Sequence, residues 1–256
     1  MDEKEIQSKK NLFDTFKTLA RYNRQFGKSD LLDYWLFEKH RTFDKWCHYF
    51  PIYEKWFAPF RNTDLVFVEV GVQNGGSAQM WKKYFGKNAK IVGVDIDEKC
   101  KQFEEEQISI EIGLQEDREF WKKFREKYPR VDILLDDGGH TMKQQITTFQ
   151  EMFPHVKDGG IYMCEDCHTS YMPTHGGGLK KSDTYIEFTK NLIDMLHSFY
   201  MPQVLPPNYF SVNMGGIHFY DSVVVVEKSA LPFPPTSFRV GTHGAVEDFE
   251  DTFEPG

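Results

Sequence analysis

At 256 residues, with 40% hydrophobic content, the chain is long enough for one large domain or a domain with an arm. Its formal net charge of −8 argues against an extended nucleic-acid footprint, which needs concentrated Lys and Arg. No apolar run approaches the ~18 residues of a membrane helix, and the charged start MDEKEIQSKKNLF lacks an apolar signal core, so a cytoplasmic protein that does not span a membrane is expected.

Residues 1–60 read as a helical arm rich in aromatics. Leu12, Phe13, Phe16, Leu19 and Ala20 recur at spacings of three and four, and FDKWCHYFPIYEKWFAPF stacks Trp46, Tyr49, Phe50, Tyr53 and Phe57. Such an arm is expected to pack on a core or on another subunit, so a homo-oligomer is expected. From residue 65 the rhythm changes. LVFVEVGV, KIVGVDI, ISIEIG, VDILLDD and GGIYMCED read as buried strands. SAQMWKKYF, EKCKQFEEE, EDREFWKKFREKY and MKQQITTFQEMFPHV read as the helices between them. This alternation predicts an α/β fold, a parallel sheet with helices on both faces, over residues 61–230. GGIHFYDSVVVVEKS breaks the rhythm and predicts a hairpin around Asp221 and Ser222, and the Pro-rich, acidic segment 231–256 predicts an extended tail. The four cysteines are too few for a disulfide scaffold. CEDC, at a late strand end with no second pair, fits neither a thioredoxin-like motif nor a zinc site.

Ligands of open parallel sheets bind beyond the carboxyl ends of the strands. EVGVQNGGS follows the first strand, where Gly71 allows a tight turn and Gly75 and Gly76 allow close approach. The spacing is not GxGxxG, which disfavours a dinucleotide. Glu69 would oppose a pyrophosphate but suits a cationic ligand such as S-adenosylmethionine; the alternative is a satisfied strand-end acid beside ordinary turn glycines. Asp95 ends the second strand, where a carboxylate can accept ribose hydroxyls, and Gln115, Glu116 and Asp117 follow the third. Asp136, Asp137, Gly138, Gly139 and His140 end the fourth strand, and Glu165 and Asp166 the fifth. Carboxylates crowded on one rim repel unless a cation neutralises them, and oxygen ligands suit Mg²⁺ or Mn²⁺. His140 can turn back over that rim as a general base. The alternative is a helix-capping acid with a surface histidine.

HYFPIYEKWFAPF, VEVGVQNGGSAQMWKKYF, IVGVDID, DDGGH, GGIYMCED and GGIHFYDSVVVVEK together resemble the metal-dependent sugar O-methyltransferases of antibiotic pathways, over roughly residues 40–228. The resemblance implies the Rossmann-like class I methyltransferase fold, a mostly parallel sheet of seven strands with the last antiparallel. It implies metal ligation by Asp137, Glu165 and Asp166 and a general base at His140. S-adenosylmethionine contacts are implied at Glu69, Gly71, Ser77, Asp95 and Gln115, with Asp137 beside them. The chain departs from the pattern at Gly139, where the group more often has Ser, and at Cys167 and His168, where it usually has apolar or aromatic residues. His168 and His175 fall in a segment expected to wall the acceptor. The implied partner is a small hydroxylated acceptor, a glycoside, methylated without nucleic acid or membrane. The competing readings are a catechol-type O-methyltransferase, which usually presents a lysine where His140 stands, and a non-catalytic S-adenosylmethionine-binding scaffold.

Overall fold

The computed structural model describes residues 29–37 and 41–230, with the single positions 14, 17, 21 and 235. The stripe through Leu12, Phe13, Phe16, Leu19 and Ala20 lies outside the described residues, as does the tail apart from residue 235. Seven strands form one sheet: β1 (Val66–Val70), β2 (Lys90–Asp95), β3 (Ile108–Ile112), β4 (Val131–Asp136), β5 (Val156–Cys164), β6 (Met214–Tyr220) and β7 (Val223–Lys228). Their order is β3-β2-β1-β4-β5-β7-β6, and β7 runs opposite to the other six strands. This is the Rossmann-like sheet with an antiparallel last strand.

Strand chemistry follows position in the sheet. β4 is central and every one of its residues is buried, including Asp132 and Asp136 on either side of the apolar run Ile133, Leu134 and Leu135. β6, at the edge, stays largely part-exposed. Asp221 and Ser222 join β6 to β7, with Ser222 at φ 63, in the left-handed backbone region.

Helices α1 (Asp30–Phe37), α2 (Phe50–Phe57) and α3 (Gly76–Phe85) feed one core cluster. Helices α4 (Arg118–Lys127), α5 (Met142–Met152) and α6 (Tyr185–Leu196) feed the other, with the short α7 (Tyr209–Asn213) at its margin. Asp117 caps α4, Thr184 caps α6, and Thr141 forms a capping box with Gln144 at the start of α5, satisfying amide donors that each helix start leaves open. In the first cluster Tyr53, Phe57, Phe67, Trp81 and Phe85 are fully buried and meet ring to ring, Tyr53 and Phe67 each 5.1 Å from Trp81. That packing fastens α2 to the sheet; truncating Trp81 to Ala would cost about 3–5 kcal/mol.

Two segments differ from the sequence expectation. EKCKQF is a 3-10 helix (Glu98–Phe103), because only Cys100 of its side chains is buried and no apolar stripe supports an α-helix. Residues 41–46, expected as helix, have no regular structure; Pro51, near the N-terminus of α2, suits a helix start rather than a helix interior. The irregular segment passes over the carboxyl ends of the strands and delivers Lys45 there.

Candidate active site

The register places Val70 opposite Asp136 and Asp136 opposite Cys164. The next residues, Gly71, Asp137 and Glu165, therefore emerge together where the strand order reverses between β1 and β4, the usual ligand crevice. Asp137 N–H donates to Val70 O at 3.0 Å and Glu165 N–H to Asp136 O at 2.9 Å, carrying the ladder one step past the strands. Gly71 sits at φ +94, and a Cβ there would lie 2.1 Å from the carbonyl oxygen of Asp137. Only glycine lets the loop after β1 lie against the loop after β4.

On one side of this contact is a cavity of about 200 Å³ whose wall includes Gly71, Gln73, Asp95, Ile96, Gln115 and Asp137. Asp95 Oδ2 accepts the amides of Val72 (2.8 Å) and Gln73 (3.1 Å), and Oδ1 accepts that of Asp97 (2.9 Å). Burial works to raise its pKa, but the amides of Asp97, Val72 and Gln73 outweigh it, and the carboxyl sits below its ordinary value. Gln115 accepts Gly139 N–H at 3.0 Å and donates to Asp136, bridging the loops after β3 and β4. Of the residues expected on the cofactor, Gly71, Asp95, Gln115 and Asp137 line this cavity. Glu69 and Ser77 are not among its lining residues. Glu69 is buried, accepting Ser77 Oγ–H at 2.6 Å and Trp81 Nε1–H at 3.0 Å, and lies 3.4 Å from the Lys45 ammonium. Burial leaves its carboxyl above the ordinary value although Lys45 draws it down.

On the other side is a cavity of about 340 Å³ lined by Asp44, Lys45, Trp46, Tyr49, Gln73, Asp137, His140, Glu165 and Asp166. Gln73 and Asp137 border both cavities. Each acid meets a donor from the segment before and within α2. Lys45 Nζ donates to Asp137 Oδ2 (2.6 Å) and Glu165 Oε2 (2.9 Å), Tyr49 O–H to Asp166 Oδ1 (2.7 Å), and Tyr53 O–H to Glu165 Oε1. Lys45, Tyr49 and Tyr53 stand four residues apart, so one row of donors serves three acids. Both oxygens of Glu165 are thereby engaged. Burial, the largest influence, holds its pKa well above the ordinary range despite Lys45.

The remaining oxygens turn toward His140, whose Nε2 lies 3.4 Å from Asp166 Oδ2 and 3.9 Å from Asp137 Oδ1. One ligand atom each from Asp137, His140 and Asp166 falls within 4.8 Å of the others. His140 (φ 57) and Asp166 (φ 52) both hold the left-handed backbone region, a strain that clusters at functional sites. Burial lowers the His140 pKa below its ordinary value, and Asp137 and Asp166 pull it only part of the way back. Its Nδ1 is buried without a hydrogen-bond partner.

Asp136 does not join the rim. Successive strand residues face opposite sides, so Asp136 turns into the interior onto Gln115 and Tyr162 (3.2 Å), where burial pushes its pKa up to about 7. His168 bonds Ser222 and meets Trp46 edge-on, and His175 bonds Thr174; neither belongs to the three-residue cluster. Sequence reasoning missed Lys45 and Gln73 and left the roles of Tyr49 and Tyr53 open. The spacing of four shared by Lys45, Tyr49 and Tyr53 was the one available signal.

The residues fit a hard divalent cation. Among the described residues three carboxylates, Glu69, Asp137 and Glu165, share the Lys45 ammonium, and Asp137 and Asp166 each keep one oxygen aimed at a common point beside an imidazole.

Residues 68–167 match the family described as a methyltransferase domain. The 8-demethyl-8-(2-methoxy-alpha-L-rhamnosyl)-tetracenomycin-C 3'-O-methyltransferase of Streptomyces olivaceus is 34% identical over 200 residues, 72% of this chain and 51% of its own length. The mycinamicin VI 2''-O-methyltransferase of Micromonospora griseorubida is 36% identical over 194 residues, 71% of this chain and 48% of its own. The solved structure of the MycE methyltransferase from the mycinamycin biosynthetic pathway, in complex with Mg, SAH and mycinamycin VI, superposes with a TM-score of 0.68. That match has 34% identity and covers 77% of this chain and 54% of that one. The chain spans about half the length of the curated relatives it matches.

Proposed function

We propose, for a chain that belongs through residues 68–167 to the methyltransferase family and has the sugar O-methyltransferases among its relatives, that it catalyses S-adenosylmethionine-dependent O-methylation of a hydroxyl on a glycosylated small molecule, with Mg²⁺ or Mn²⁺ in the acid rim. One observation carries this reading: the cavity under the glycine loop and the cavity holding Asp137, His140 and Asp166 adjoin across Gln73 and Asp137. A methyl donor in the first and a hydroxyl in the second would meet at that border, in the proximity that group transfer needs.

Gly71 and Gln115 shape the cofactor wall, and Asp95, whose oxygens already hold the loop amides, offers its remaining lone pairs to ribose hydroxyls. Asp137 and Asp166 would hold the cation through the oxygens turned to His140; Glu165 would join as third ligand by releasing Lys45 or Tyr53. A divalent ion there supplies Lewis-acid charge that makes a nearby hydroxyl more acidic. His140, neutral at pH 7 because burial lowers its pKa, accepts the hydroxyl proton at Nε2, the nitrogen facing the rim. A second reading, His140 as a ligand, is favoured by its place in the three-residue cluster.

Calorimetric titration with S-adenosylhomocysteine, with and without Mg²⁺, followed by methyl transfer to glycosylated and catechol acceptors, tests the proposal. Expected are cofactor binding, no NAD binding, and turnover on glycosides that chelation abolishes and Mg²⁺ or Mn²⁺ restores. Full activity in excess chelator sinks the metal assignment, and failure to bind S-adenosylhomocysteine sinks the whole reading. His140→Ala separates the two roles: a base variant keeps metal affinity, a ligand variant loses it.

A further inference from the structure

Among the described residues Lys45 is the one lysine or arginine in contact with Glu69, Asp137 and Glu165, and it comes from a segment without regular structure. Its side chain is 2% exposed, and its Nζ reaches Asp137 at 2.6 Å, Glu165 at 2.9 Å and Glu69 at 3.4 Å. A lysine seldom enters a protein interior unless paired, because desolvation of the ammonium is costly. Here three carboxylates compensate it, and it in turn compensates them. The arrangement of Asp137 adds a second fact. Its Oδ2 is taken by Lys45, while its Oδ1 faces His140 and Asp166, where a divalent ion would be held. The ammonium and the ion would therefore share the two oxygens of one carboxylate. Like charges that close repel strongly at the effective dielectric of a protein.

We propose that Lys45 is a built-in counter-ion of the metal rim: it stands in for part of the divalent charge, keeps Glu165 and Asp137 in place before the ion arrives, and lowers the affinity for the ion once it binds. The proposal rests on the metal reading above and assigns Lys45 a positioning role rather than contact with the reacting atoms. Tyr53 and Tyr49 support the same function with neutral donors, on Glu165 and Asp166. A metal that must be bound beside a fixed ammonium is held less tightly and exchanges more readily than one held by the acids alone.

The test is Mn²⁺ binding, followed by electron paramagnetic resonance of the free ion at pH 8 without cofactor or acceptor, together with melting of the metal-free protein. Wild type, Lys45→Met and Lys45→Arg are compared. Lys45→Met keeps the length and removes the charge. Its metal-free form should melt several degrees lower than wild type, because buried carboxylates lose their partner. Its Mn²⁺ dissociation constant should fall about tenfold or more, and Mn²⁺ should restore its melting temperature. Lys45→Arg should stay near wild type in both readouts. A role confined to holding the fold would lower stability and weaken the metal site together, so an unchanged or weaker Mn²⁺ affinity in Lys45→Met overturns the proposal. If Lys45→Met does not fold without metal, refolding it in Mn²⁺ should recover native protein, and failure to do so also overturns it. Wild-type protein that binds no Mn²⁺ removes the metal reading itself, a result distinct from wild-type binding with an unaltered Lys45→Met.

Discussion

Gly71→Ala is expected to damage stability and cofactor binding at once, because this residue is where the loop after β1 touches the loop after β4. Its φ of +94 is a conformation that an L side chain adopts only under strain, at a cost of about 1–3 kcal/mol. The added Cβ would also stand 2.1 Å from the carbonyl oxygen of Asp137 and 2.9 Å from its carbonyl carbon. Both are backbone atoms, so relief requires moving the Asp137 loop by the better part of an ångström rather than rotating a side chain. Overpacking of this kind costs about 1–3 kcal/mol more. The two contributions together predict a loss of about 2–6 kcal/mol in urea denaturation followed by tryptophan fluorescence. Because Gly71 and Asp137 line the same cavity, affinity for S-adenosylhomocysteine should fall by more than tenfold in the fraction that remains folded. A variant within about 0.5 kcal/mol of wild type, the range of an ordinary surface substitution, would show that the two loops are not locked as described.

Asp95→Ala should weaken S-adenosylhomocysteine binding by about 1–3 kcal/mol and also loosen the loop whose amides Asp95 accepts, so calorimetry and amide exchange at Val72 and Gln73 should change together; unchanged affinity would place the cofactor elsewhere. His140→Ala should lose about 10²–10⁴-fold in turnover if the imidazole is the base. Since its pKa lies below the ordinary value, wild-type kcat/KM should hold from neutral pH downward and fall only below about pH 6.5; a fall starting above that pH would contradict it. Asp136 has its pKa raised from 3.8 to about 7, so the folded state binds more protons than the unfolded state between those values, and stability falls as pH rises through that window. Asp136→Asn should therefore match wild type near pH 4 and exceed it at pH 8, by a few kcal/mol at most; equal stability at both pH values would refute the burial argument.

The strand and helix alternation was legible because both periodicities are local, and the unusual residues at the strand ends were legible because chain reversal demands glycine and polar groups there. Asp137, His140, Glu165 and Asp166 could be gathered on one rim by assuming adjacent parallel strands, and β4 and β5 are adjacent. Strand alternation, a local rule, could also have separated the inward Asp136 from Asp137. Other features depended on contacts that no local pattern specifies. Lys45 meets Asp137 across 92 residues and Glu165 across 120, and Tyr53 meets Glu165 across 112. Such pairings are decided by the aromatic packing of α2 and α3 on β1, which determines where residues 45–53 lie relative to the strand ends. Glu69 shows the same division. Its place at the end of β1 was readable in VEVG. Its burial against Ser77, Trp81 and Lys45 follows only from the way α3 and the preceding irregular segment close over it. The sequence by itself determined which chemistry could gather at the strand ends; the tertiary packing decided which oxygen of each acid was left free, because that depends on long-range donors whose positions only the folded core sets.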